Sequence, residues 1–197
     1  MKARFAFLTL TALAFNCAPT EADPVRVPAT KNGPREVAIV GAGCFWGVET
    51  WMEKASGVVA IDVGYAGGKA RGVTYEQVSG GNTGHAEAVR ITFDPSIISY
   101  EQLLTRFFLI HDPTTLNRQG NDAGTQYRSA IFPTSDVQLQ IAERVKARVV
   151  KSNAWKKPIT TTIETNATWV RAEDYHQDYL VKHPGGYDNH FLRDLSF

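Results

Sequence analysis

Glu36-Val37-Ala38-Ile39-Val40-Gly41-Ala42-Gly43-Cys44-Phe45-Trp46-Gly47 joins an apolar run to an amphipathic one through glycines, with a thiol at the junction. Residues 36–40 have the β-branched density of a buried strand. Beyond the glycines, Val48, Trp51, Met52 and Ala55 recur at three- and four-residue spacing, which predicts a helix starting within a residue or two of Cys44 and ending near Gly57. A thiol at such a junction faces unpaired amide donors and the positive end of the helix dipole, and both favour thiolate. An ordinary cysteine, with a pKa of about 8.5, is only a few per cent ionised at neutral pH, so the placement suits a nucleophile. The plainer alternative, a small buried hydrophobe, stays open on this stretch alone.

Outward from there, residues 58–65 read as a second strand ended by Gly67-Gly68, and 74–78 as a short capped turn of helix. Residues 87–93 alternate cleanly and stop at Asp94-Pro95, giving a third strand with its odd positions inward. Ser99 and Gln102 form a capping box for a helix carrying Tyr100, Leu103, Leu104, Phe107 and Phe108 as its apolar stripe. After a polar loop over 111–124, a fourth strand is expected at 126–132. Thr134 or Ser135 then opens a long helix that turns Val137, Ile141, Val145 and Val149 inward and Glu143, Lys146 and Arg148 to water. A fifth strand at 159–164 and a short helix at 173–182 complete the chain. The order strand, helix, strand, strand, helix, strand predicts an α+β fold: a ferredoxin-like split βαβ two-layer sandwich, mostly antiparallel, with added helices and long loops.

A net charge of +1 and a 43% hydrophobic fraction describe a globular chain without a nucleic-acid footprint. The start differs. Lys2 and Arg4 precede a short apolar core over 5–15, so 1–22 is expected to be a secretory signal, 23–35 a disordered lead and 36–197 a single domain. The protein is therefore expected to be exported, periplasmic or secreted. Cys17 stands where a bacterial lipoprotein carries its acylated cysteine, although Phe15 and Asn16 before it are bulky for that signal. Cys44 is the one cysteine after residue 35, which excludes an internal disulfide framework.

Glu87 falls on the same sheet face as Val89, Ile91 and Phe93, where a carboxyl is paired, neutral, or at the rim of a pocket in which it can donate a proton. The alternative is a strand-end glutamate reaching solvent. Phe45 and Trp46 either pack inward or form an apolar collar round the thiol that suits a thioether-like ligand. Tyr75, Tyr127 and Asp122 lie in loops or at strand starts, where they can converge on a cleft or serve packing. His85, His111, His176, His183 and His190 include no pair with tight zinc spacing, so no metal is expected. A cysteine hydrolase with a distant histidine base remains a second enzyme class, and a methionine-binding module the non-enzyme one.

Together Gly43-Cys44-Phe45-Trp46-Gly47, Thr74-Tyr75, Thr83-Gly84-His85-Ala86-Glu87-Ala88-Val89, His111-Asp112-Pro113, the run from Arg118 to Ser129 and Ala172-Glu173-Asp174-Tyr175-His176-Gln177 resemble the A-type peptide methionine sulfoxide reductases. The resemblance covers about 36–187 and rests on six fragments in order. It implies thiol-dependent reduction of methionine S-sulfoxide, free or in oxidised proteins. Cys44 is implied as nucleophile, Phe45 and Trp46 as the pocket for the substrate methyl, and Glu87, Tyr75 and Tyr127 as the hydrogen-bonding set on the sulfoxide oxygen. Asp122 matches a position near that site. No cofactor is implied beyond an external thiol, thioredoxin-like in the cell or dithiothreitol in vitro. A monomer that meets no nucleic acid, and a membrane only through a lipid anchor, is expected. Many members carry a recycling cysteine in a Gly-rich tail, and residues 184–191 here hold none.

Overall fold

A computed structural model describes residues 33–197, and in it the opening apolar run becomes β1 (Glu36–Ala42), a strand paired on both sides. The expected signal, Cys17 and most of the lead lie outside the described residues. Arg35 pairs with the buried Asp94 at 3.1 Å. The predicted helix follows as α1 (Phe45–Glu53), ending one turn before Gly57. Then come β2 (Val58–Ala66), α2 (Tyr75–Ser79), β3 (Ala86–Phe93) and α3 (Tyr100–Ile110), the last with the Ser99/Gln102 capping box formed.

The fourth strand is shorter than its sequence suggests. A two-residue hairpin, β4 (Arg118–Gln119) and β5 (Asp122–Ala123), precedes it, and Thr125–Tyr127 winds into a 3₁₀ turn. Gly124 at φ +146° lets that turn start, so the strand, β6, holds only Ser129–Ile131. Helix α4 (Asp136–Ser152) follows with Gln138, Ala142, Val145 and Val149 buried. Val137, expected inward, is 66% exposed, because Gln138 takes the inward position and donates to Val37 O.

The strand expected at 159–164 shrinks to β7 (Thr162–Ile163), since Thr160 spends its amide and hydroxyl on the carbonyl of Pro113. An unforeseen β8 (Trp169–Arg171) pairs with β2, where Gly64 makes room: a Cβ there would sit 2.4 Å from Val170 O. The last helix is also shorter, α5 (Tyr179–Lys182), because residues 174–178 form turns and Asp178 at φ +52° breaks the run.

The fold is thus α+β, with a six-stranded sheet in the order β7-β6-β1-β3-β2-β8, antiparallel except for the β6–β7 pair. One face carries the main core, where Val89, Ile91 and Phe93 of β3 meet Phe45, Val48 and Met52 of α1 and Leu103, Leu104 and Phe107 of α3. Each such side chain withdrawn from water contributes about 1.5–3 kcal/mol. Odd positions of β3 do point inward, and that face also receives Glu87.

Candidate active site

Cys44 is the N-cap residue of α1, with non-helical backbone while its successor is helical. The approach is possible because Gly43 takes φ +94°, a value that side chains resist, and a Cβ there would lie 2.5 Å from Gln119 Cβ. The thiol is 8% exposed and is the free cysteine among the described residues. Burial, and then the charge of Glu87, push the thiol up beyond its ordinary range; the amides of Trp46 and Gly47 pull it down and lose. The thiolate-favouring helix start inferred from sequence is therefore present but outweighed by burial.

Glu87 is 2% exposed and accepts the Phe45 N–H on Oε2 at 3.1 Å. Burial pushes its carboxyl up to about 8 against the Phe45 amide, with the nearby charge of Asp122 adding to the rise. At neutral pH Glu87 holds its proton beside the thiol. Tyr75 opens α2 and Tyr127 ends the 3₁₀ turn; burial, then the charge of Glu87, raise both phenols. Cys44 and Asp122 also act on both phenols, so strand, turn and helix starts bring these five residues into one electrostatic cluster.

The collar is real but unequal. Phe45 is fully buried and packs on Tyr65, with ring centroids 5.9 Å apart. Trp46 is half-buried, stacks on Tyr179 at 3.7 Å, and donates its indole N–H to His176 Nδ1 at 3.2 Å. His176 also lies against Phe45 and Tyr75, at 5.1 and 4.6 Å. The sequence reading gave His176 no such place, and it likewise missed the segment from Tyr187 to His190. There Asn189 Nδ2 donates to Gln119 O and Asp122 Oδ2, and His190 Nε2 lies 2.7 Å from Ala42 O. Asp188 and His190 rest on Gly47, where a Cβ would come within 2.2 Å of both. Gly47→Ala should therefore lift this segment and destabilise the fold by roughly 1–3 kcal/mol; a thermal unfolding scan with unchanged midpoint would contradict the packing.

His111 is spent on Phe107 O and Ser129 Oγ, His190 on Ala42 O and Asp188, and among the described residues no histidine hydrogen-bonds Cys44. No cluster of His, Cys, Asp and Glu suited to a metal occurs among the described residues.

Comparison with known proteins agrees with this geometry. Residues 36–194 match the model of the peptide methionine sulfoxide reductase family. Peptide methionine sulfoxide reductase MsrA of Erwinia tasmaniensis is 54% identical over 144 residues, covering 73% of this chain and 80% of its own. Among solved structures, reduced Mxr1 from Saccharomyces cerevisiae superposes with a TM-score of 0.77 at 37% identity, over 86% of this chain and 99% of its own. The same yeast protein in complex with Trx2 superposes at 0.57, with 26% identity over 85% and 99% of the two chains.

Proposed function

This chain belongs to the peptide methionine sulfoxide reductase family, and from that premise we propose how its residues carry the reaction. The enzyme reduces methionine sulfoxide to methionine and so repairs oxidised proteins. The observation that carries the mechanism is a buried carboxyl, Glu87, held on the amide of Phe45, the residue that follows the thiol Cys44, with burial pushing its pKa up to about 8.

The S-sulfoxide enters with its methyl against Phe45 and Trp46 and its oxygen toward Glu87, Tyr75 and Tyr127. Asp122 lies at the edge of this cluster, tied to Asn189. The Cys44 sulfur attacks the sulfoxide sulfur, and Glu87 lends a proton to the oxygen as its bond to sulfur weakens. The protonated oxygen then bonds to the Cys44 sulfur as the newly formed sulfur–sulfur bond breaks, the electron pair of that bond stays on the substrate sulfur, and methionine leaves with Cys44 left as a sulfenic acid. The thiol proton balances the one Glu87 lent.

An external thiol of the thioredoxin type then reduces the sulfenic acid; the complex of the yeast relative with Trx2 supports this partner. The strand order β6-β1-β3-β2, with α1 and α3 as crossovers, supports reading the core as a ferredoxin-like split βαβ sandwich. Export through the basic and apolar N-terminus, anchoring at Cys17 and a monomeric state belong to the same proposal.

Reduction of S- and R-sulfoxide peptides with dithiothreitol tests the reading: only the S epimer should be consumed. Loss of both epimers at equal rates would refute the pocket assignment. Trp46→Ala should lower kcat/KM for the S epimer about 10-fold while the protein stays folded, since the indole orients the methyl by apolar contact. Unchanged kinetics with a large drop in Tm would make Trp46 a packing residue instead.

A further inference from the structure

Glu173 lies in the turns between β8 and α5, and its carboxylate reaches across to two other elements. Oε1 accepts the backbone N–H of Tyr75 at 2.9 Å, and Oε2 accepts the hydroxyl of Tyr65 at 2.8 Å. Tyr75 is the first residue of α2, so its amide has no partner inside the helix and must find one outside. Tyr65 is fully buried and its ring lies against Phe45, the residue whose amide holds Glu87. One carboxylate therefore fixes the backbone that carries the Tyr75 phenol and braces the aromatic that sits behind the site.

The segment bearing Glu173 is itself fastened just beyond it. Gln177 brackets Val63, accepting its N–H at 2.9 Å and donating to its carbonyl at 3.0 Å, and the Asp178 amide donates to Glu49 Oε1 at 3.1 Å. α2 has only five residues, and besides its Thr74/Gln77 capping box and the Gln126 bond to Ser79 O at its far end, Glu173 is what receives the Tyr75 amide at its start.

We infer that Glu173 is a positioning residue for catalysis, holding Tyr75 so that its hydroxyl meets the sulfoxide oxygen. The inference rests on the reading of Tyr75 given above. Its role is geometric: it touches no reacting atom and acts through the backbone of its neighbour. The carboxylate also stays ionised in this setting. Burial raises it, but the Tyr75 amide and the Tyr65 hydroxyl outweigh that and hold it below the ordinary carboxylate range.

The experiment is a double-mutant cycle between Glu173→Ala and Tyr75→Phe, read by kcat and KM with a sulfoxide peptide and dithiothreitol, with Tm followed in parallel. Alone, Glu173→Ala should lower kcat roughly 10–100-fold with little change in KM, the range expected when a catalytic group is displaced by about an ångström. Glu173→Gln, which still offers an oxygen to the Tyr75 amide, should recover most of that rate. In the Tyr75→Phe background, Glu173→Ala should cost less than about 3-fold, because the hydroxyl it served is gone. A full, multiplicative loss in that background overturns the positioning role and leaves Glu173 structural. If Tyr75→Phe is itself as fast as wild type, the reading of Tyr75 falls, and the inference falls with it. If Glu173→Ala does not fold, the Glu173→Gln arm decides: kcat near wild type supports the geometric role, and loss as deep as that of Tyr75→Phe opposes it.

Discussion

Glu87→Gln slows methionine release roughly 10²–10⁴-fold and leaves the protein folded, because the amide keeps the acceptor for the Phe45 N–H but has no proton to give. Two pH signatures separate this from simple damage. Thiol and acid form one interacting pair, and the reactive state is the one that has lost a single proton, from sulfur. With the carboxyl at about 8 and the thiol above it, that state grows with pH up to about 8 and then levels. Wild-type rates should therefore climb and flatten, while the variant, with only the thiol left to titrate, should keep climbing.

Stability responds to the same carboxyl with a definite sign. Its pKa is raised from an ordinary 4.5 to about 8 on folding, so the folded state binds the proton more tightly. The stabilisation is fully present below pH 4.5 and is lost as pH rises toward 8, at about 1 kcal/mol per pH unit. Glutamine has no such slope, so the variant should gain on wild type in Tm across that window while staying catalytically poor. A variant as fast as wild type at every pH would sink the acid assignment and shift protonation to Tyr75 and Tyr127.

Much of this site was legible before any coordinates, for physical reasons that differ by residue. Cys44 announced itself because strand, glycines and helical stripe meet there, and Glu87 because strict alternation left it no other face. Sequence failed on the thiol's acidity, since local amides are visible in the chain while burial by distant segments is not. It foresaw β6 and β7 but made them too long, and it missed β8, because two- and three-residue pairings carry no periodicity. His176 and the Tyr187–His190 segment were missed because their partners lie far away in sequence; Trp46 is 130 residues from His176. Glu173 is similar, 98 residues beyond Tyr75.

Without added thiol, the protein should release about one methionine per active site and then stop, with Cys44 one oxygen heavier by mass spectrometry. The reaction leaves a sulfenic acid, and turnover requires a second thiol to reduce it. Among the described residues Cys44 is the free cysteine, and the remaining one in the sequence is Cys17. Cys17 is a poor substitute under the proposed export, being removed with the signal or carrying a lipid on its sulfur. The segment nearest the site from the C-terminal side supplies Tyr187, Asp188, Asn189 and His190, of which Asp188 accepts from Trp51 of α1, Asn189 donates to Asp122 and His190 bonds Ala42 of β1, and none offers sulfur. Dithiothreitol or a thioredoxin-type protein should restore full turnover. A protein beginning at residue 33 should behave identically, which separates the role of Cys17 from that of the external thiol. Sustained turnover of that shortened protein without thiol would overturn the sulfenic acid route as drawn.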